Sequence, residues 1–250
     1  MPDYREIAAS LTASLNLSQT PIGICLIDEL PAGIESWTGS SPAGCRFWQE
    51  AASRVFATSA ADHNLCSIGL YTHGLEISSA AMTDLGDALK VFAGLTYVRE
   101  EDIAAIPVMK DKRRHVVYGP LAELPVAPDL VLLFVPADQA LILSEASQQI
   151  EGGMPPAMGR PACALIPQTY NTGKSALSLG CCGARAYLDV LTPAVALYAI
   201  PGAALTAFAE RIESLAKANG VLAKFHQIRR HDVEAGKSPT VQESLAALQG

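Results

Sequence analysis

Basic charge is scarce in this 250-residue chain, charged residues of either sign make up only 17%, and no apolar run is long. Lys and Arg number 18 against 25 Asp and Glu, a net charge of -7. Nucleic-acid surfaces are built from clustered Lys and Arg, so that class of partner is excluded. The one basic run, Lys110-Asp-Lys-Arg-Arg-His115, is short and reads as a solvated loop or strand entry. The best apolar stretch, Leu130 to Val135, is broken by Pro136 and Asp138, far short of the roughly 18 residues a bilayer demands. No membrane span is expected. The segment Met1-Pro-Asp-Tyr-Arg-Glu-Ile7 carries acidic residues and no apolar signal region, so the chain is expected in the cytoplasm. Gly-x-Gly-x-x-Gly, Gly-x-Ser-x-Gly and His-Glu-x-x-His are all missing, which leaves Rossmann, serine hydrolase and zincin readings without residues. Asn171-Thr-Gly-Lys-Ser175 looks like the end of a phosphate-binding loop, but the opening glycine would fall on Gln168, so the cradle of amides is incomplete.

Hydrophobic residues, by contrast, make up 50% of the chain, enough for a sizeable core. The spacing of Ile7, Ala8, Leu11 and Leu15 predicts an amphipathic helix over 3–16, and 78–95, 138–150 and 203–219 show the same period, the last capped by Gly220. A short helix over 46–54 and a turn of helix at 103–106 are also read. Strands are predicted at 21–27, 55–58, 116–118, 129–135, 162–166 and 195–200, with 167–180 as a polar loop. The run Asp129 to Val135, apolar after its first residue, suggests a central strand covered on both faces. The expected fold class is α/β, a compact mixed sheet with outer helices. Residues 1–250 read as a single domain, or as two pseudo-equivalent halves, 1–110 and 111–220, with the site between them and 221–250 as a C-terminal tail. The hint of duplication is an echo: a strand, a loop and then a cysteine beside a glycine occur near Cys66-Ser-Ile-Gly69 and again near Cys181-Cys-Gly183.

Six cysteines remain to be explained, at 25, 45, 66, 163, 181 and 182. A reducing compartment argues against structural disulfides. Cys25 and Cys163 lie in apolar runs and read as core. Cys45, Cys66 and Cys181 follow glycine-rich or polar loops and are taken to converge on one site. Cys45 would sit at a helix start, where the macrodipole lowers a thiol pKa. Asp62 and His63 stand just upstream of Cys66, an arrangement in which a carboxylate can fix the imidazole tautomer. Arg46 and Arg185 follow site cysteines and suit either thiolate stabilisation, an anion clamp or a structural ion pair, and Lys174 and Ser175 belong to a loop leading to the same place. The separations of 21 and 115 residues match neither zinc-ribbon nor ferredoxin spacing.

Three segments, Cys45-Arg-Phe-Trp48, Asp62-His-Asn-Leu-Cys-Ser-Ile-Gly69 and Leu179-Gly-Cys-Cys-Gly-Ala-Arg-Ala-Tyr187, followed by a strand ending Ile200-Pro-Gly202, carry a likeness. Together they resemble a bacterial and archaeal family catalogued as domain of unknown function 169, over roughly Pro21 to Leu215. The resemblance implies a cysteine at each of the three places, with Cys182 the variable neighbour of Cys181, although either could be the ligand. It brings no reaction with it.

The functional expectation is a cysteine-ligated metalloprotein, with Cys45, Cys66 and Cys181 binding an iron–sulfur cluster of the [4Fe–4S] type with one iron open to substrate. Zinc completed by His63, or haem, is the alternative cofactor. His63 and Arg185 would be the catalytic residues, in redox or small-molecule lyase chemistry. A second expectation is a non-catalytic carrier whose thiols capture a soft metal, haem or a small ligand, so whether the chain is an enzyme stays open. The partner in either case is a small molecule, and a homo-oligomer is admitted.

Overall fold

A computed structural model describes residues 2–158 and 161–249. Among these residues seven strands form one mixed sheet in the order β2-β3-β1-β4-β7-β6-β5, with helices on both faces, as the sequence pattern suggested. The strands are β1 (Ile22–Ile27), β2 (Phe56–Ser59), β3 (His115–Pro120), β4 (Leu130–Val135), β5 (Ala157–Met158), β6 (Ala176–Ser178) and β7 (Ala196–Pro201). All neighbouring pairs are antiparallel except β5 and β6.

The helices are α1 (Tyr4–Leu15), α2 (Arg46–Glu50), α3 (Ser67–Thr72), α4 (Ser79–Gly94), α5 (Glu100–Ile103), α6 (Ala137–Glu151), α7 (Leu165–Thr172), α8 (Leu205–Glu234) and α9 (Val241–Gln249). Local chemistry sets their ends. Asp3 accepts hydrogen bonds from the amides of Arg5 and Glu6 and so starts α1. Gly152 and Gly173 stop α6 and α7 in the left-handed conformation, where a side chain would be strained.

Because strand side chains alternate, each strand feeds two cores. Ile22, Ile24, Leu130, Leu132, Phe134, Leu197 and Ala199 face one side, packed with Phe47, Trp48, Leu70 and Leu165. Val131, Leu133, Val135, Tyr198 and Ile200 face the other, against α1, α6 and α8 through Leu11, Leu143 and Phe208. All six residues of β4 are buried, which accounts for its unbroken apolar sequence. Pairing β1 to β4 at the middle of the sheet joins the earlier strands to the later ones, and Ser36 bridges Ala57 in parallel beyond β2. Strand order alone does not establish the expected pseudo-equivalence of the halves.

Three readings of the sequence change. The run 162–166 is a 3-10 turn entering α7, and 167–180 holds the rest of that helix and β6. Pro161 stands at the N-cap of this turn, so the apolar run is the buried face of a helix start. Helix α2 ends at Glu50 and not near Arg54. Finally, α8 does not stop at Gly220 but continues to Glu234, laced by pairs such as Lys217–Glu213 and Arg230–Glu234. No helix among the described residues is long and apolar enough to cross a membrane.

Candidate functional site

Cys45 is the N-cap of α2 and Cys66 the N-cap of α3, both at the edge of the core that also holds Cys163. Cys181 packs against that core and is partly open, whereas Cys182 is exposed. Burial first, and then the charges of Cys163, Cys66 and Cys181, pushes the Cys45 thiol well above its usual range. Burial also raises Cys66 and Cys163, and Cys181 adds to both; the Gly44 and Gly69 amides beside the Cys66 sulfur pull the other way and lose. The helix start therefore does not lower the Cys45 thiol as the sequence suggested, because a five-residue helix supplies too little dipole to offset desolvation.

These sulfurs share a core but do not form a metal-holding group. Among the described residues, no group of three or more His, Cys, Asp or Glu side chains could hold a metal ion. That finding overturns the cysteine-ligated metalloprotein, with its iron–sulfur cluster, zinc or haem on Cys45, Cys66 and Cys181, and the redox or lyase chemistry derived from it. The thiol-based carrier of a soft metal falls with it, since the same sulfurs were to do the capturing. The physical reason is that the sulfurs sit against different neighbours. Cys163 Sγ shares a 3.4 Å hydrogen bond with Thr72 Oγ1, and Cys66 Sγ lies over Gly69, 2.8 Å from where a Cβ would be.

His63 is where the sequence placed interest, but its orientation comes from an unexpected residue. Asp62 turns back to cap Ser59, accepting from its amide at 2.7 Å and its hydroxyl at 2.9 Å. Thr58 Oγ1 donates to the Val116 carbonyl at 3.3 Å, which uses its one proton, and it lies 3.0 Å from His63 Nε2. With the hydroxyl proton placed on that carbonyl, the tautomer that completes the contact donates from Nε2 and leaves a lone pair on Nδ1. That Nδ1 is buried without a partner. Phe47 holds the ring edge-on, with centroids 4.9 Å apart.

His73 is a second buried imidazole that the sequence reading missed. Its Nδ1 contacts the Gly69 carbonyl at 2.8 Å, so Nδ1 carries the proton and Nε2 is left buried without a partner. The two ring centroids are 5.9 Å apart. Burial, and for His63 also the neighbouring His73, lowers His63 to about 3; burial lowers His73 to about 4 against the pull of the Gly69 carbonyl. Both rings are neutral. The available signal was spacing: His73 follows Cys66 by two helical turns, in a glycine-punctuated stretch that can open a helix. Nothing in the sequence pointed to Thr58.

Both arginines donate to backbone carbonyls. Arg185 donates to the carbonyls of Leu179, Thr192 and Val195, holding the loop around the Gly183–Tyr187 π-turn. Arg46 reaches the Leu188 carbonyl at 3.2 Å. Ser175 is buried, tied through both its amide and its hydroxyl to Glu151, and Lys174 is exposed.

Beside this buried polar region lies a cleft of about 570 Å³. Leu85, Ala88, Leu89 and Phe92 of α4 form one wall, Ile68 and Pro161 face them, and Cys181 to Gly183 close the floor. Arg99 and Asp102 sit at its rim, paired at 2.6 Å. Ser67 Oγ donates to Asp84 at 3.0 Å, tying α3 to α4 across the edge.

No curated protein and no solved structure matches this chain. The profile of one family, described as uncharacterised ArCR, matches residues 10–211, a span that takes in Cys45, Cys66 and Cys181, the order of cysteines from which the likeness was read. The chain belongs to the domain of unknown function 169 family.

Proposed function

We propose that this chain binds a small, largely apolar organic molecule in the cleft between α4, α5 and the Cys181–Gly183 floor. The observation that carries this reading is the cleft itself. Its volume of about 570 Å³ falls among those of ligand pockets, and its wall is aliphatic and aromatic with a few polar groups at the ends. Of the sixteen residues of α4, Leu85 alone is buried, while Phe92 keeps 38% of its surface exposed toward this space. Apolar surface left open in a concave site is stabilised by a guest that removes it from water. Binding here works through shape and apolar contact, and the Arg99–Asp102 pair at the rim suits a ligand with one polar end.

Titration with an apolar fluorescent probe such as anilinonaphthalene sulfonate tests this. Saturable binding at one site is expected, and Ala88→Trp, which fills the cleft from an incompletely buried helix position, removes it. Equal binding by the wild type and Ala88→Trp, with both folded by circular dichroism, overturns the reading.

A further inference from the structure

Midway along α8 the helix is bare. Residues Lys217 to Lys224 are all exposed, and Val221 and Leu222 keep 51% and 54% of their surface. Upstream, Leu205, Phe208 and Ile212 anchor the helix in the core; downstream, α9 packs back on it, with Phe225 and Ser244 buried. The two turns between them hold Asn219 and Gly220, both poor helix formers, and nothing beyond the helix's own turns lies within 4 Å of where a Cβ on Gly220 would be. Helices in proteins are stabilised chiefly by packing one of their faces, so this stretch needs a cover. Just before it runs a shallow groove of about 640 Å³ between α1 and α8, lined by the small residues Ala9, Ser10, Ala13 and Ser14 of α1 and by Glu213 and Ala216 of α8. Spaced by three or four, Glu213, Ala216, Gly220 and Lys224 stand on one side of α8, so the groove's face runs on into the bare turns.

We propose that the cover is a second copy of this chain, the two α8 helices lying side by side and antiparallel about a two-fold axis between Ala218 and Asn219. Such a contact is reciprocal, each residue meeting in the other copy the one that meets it. Gly220 of each copy falls against Ala216 and Lys217 of the other, where the missing side chain lets the backbones approach closely. Lys224 of each falls opposite Glu213 of the other. Within one copy Glu213 Oε1 holds Lys217 at 2.6 Å, and no salt bridge among the described residues involves Lys224. A parallel pairing would set Lys224 against Lys224. Charge on a larger scale favours the same arrangement. Residues 217–250 carry five Lys and Arg against three Asp and Glu, a net charge of +2, whereas residues 1–216 carry 13 against 22, a net charge of -9. The antiparallel contact lays each basic arm along the other copy's acidic body. This surface belongs to the face of the sheet that carries α1 and α8, away from the α4 cleft, and is independent of what binds there.

Sedimentation of the intact chain at loading concentrations from about 1 to 200 μM tests this, and a reversible monomer–dimer equilibrium is expected. Lys224→Glu and Glu213→Lys, both at exposed positions, are each expected to raise the dimer dissociation constant about tenfold or more. An equimolar mixture of these two variants is expected to recover wild-type affinity, because both charge pairs re-form, with opposite charges facing, in the mixed dimer alone. Ala13→Trp, which fills the groove from an exposed position on α1, is expected to weaken the dimer about as much, with no recovery on mixing with either variant. Circular dichroism unchanged from wild type in each variant shows that the fold is kept. A wild-type chain that stays monomeric over the whole range leaves the bare turns to some other partner and overturns the proposal. A dimer that Lys224→Glu and Ala13→Trp both leave intact overturns it too, as does a mixture of Lys224→Glu and Glu213→Lys that binds no more tightly than either alone.

Discussion

His63 and His73 are held neutral in the fold at about 3 and about 4, while the unfolded chain would protonate them near 6.5. Their folded values are depressed, so below about 6.5 the unfolded state binds protons that the native state refuses. Stability is unaffected above that pH and falls as pH drops toward the folded values. Each histidine costs about 1.4 kcal/mol per pH unit in that interval, so going from pH 7 to pH 5 removes on the order of 4 kcal/mol. Denaturant melts at the two pH values should show this loss, and His73→Asn should roughly halve its slope. A second residue test concerns Gly202, where a Cβ would lie 1.8 Å from the Pro128 carbonyl oxygen, backbone against backbone. Gly202→Ala is expected to cost about 1–3 kcal/mol or more in a thermal melt, whereas Gly153→Ala, with open space around it, stays within about 0.5 kcal/mol. At this scale the sequence was legible where side chains announce themselves. Cys45, Cys66 and Cys181 were picked by their glycine-flanked loops; the first two are buried in one core and Cys181 packs against it. Cys163 was not, because Ala162-Cys-Ala-Leu-Ile166 has no period, and a short apolar run looks the same as a strand or as a helix start. The metal expectation failed for a related reason: proximity in the fold says nothing of where each sulfur points.

Among the elements, α4 is the one least held by the rest. Its sixteen residues bury Leu85 alone, and its links to the body run through α3, including the Ser67–Asp84 hydrogen bond. Few buried apolar contacts mean a low free energy of local opening. Amide hydrogen exchange is therefore expected to be faster in α4 than in α1, where Ile7, Ala8, Leu11 and Leu15 are buried. Gly86 lies in the interior of α4 with nothing within 4 Å of its missing side chain. Gly86→Ala should slow exchange across the helix by about fivefold, the equivalent of roughly 1 kcal/mol of helix propensity. An unchanged exchange rate would mean that α4 opens by swinging away whole and not by unravelling. The period of 78–95 marked this helix correctly, but period reports which side of a helix is apolar and not whether that side is covered. Here the apolar side faces a cleft. The end of α8 was misread because Gly220 looks like a cap, while the ion pairs that carry the helix onward lie on both sides of it.

At the scale of the whole molecule, the sheet is assembled from partners far apart in the chain, β1 pairing with both β3 and β4. Such non-local pairing makes folding slow, because loops must close before the contacts that reward them can form. The mixed α/β class was legible in the alternation of short apolar runs with helical stretches, but strand order was not, since no residue pattern says that β1 lies between β3 and β4. The thiols give this topology a clock. Cys45 and Cys66 come from the chain before β3, and Cys163 from the chain after β4, yet all three are sealed into one core. None can be shielded until both sides of the sheet have met. A pulse of iodoacetamide at successive times of refolding should find these three sulfurs becoming unreactive together, with a single time constant. Exposed Cys182 should take the label throughout and serve as the internal standard. Separate time courses for Cys45 and Cys163 would mean that the two sides close independently, and the moment of sealing would then date the meeting of β1 with β4.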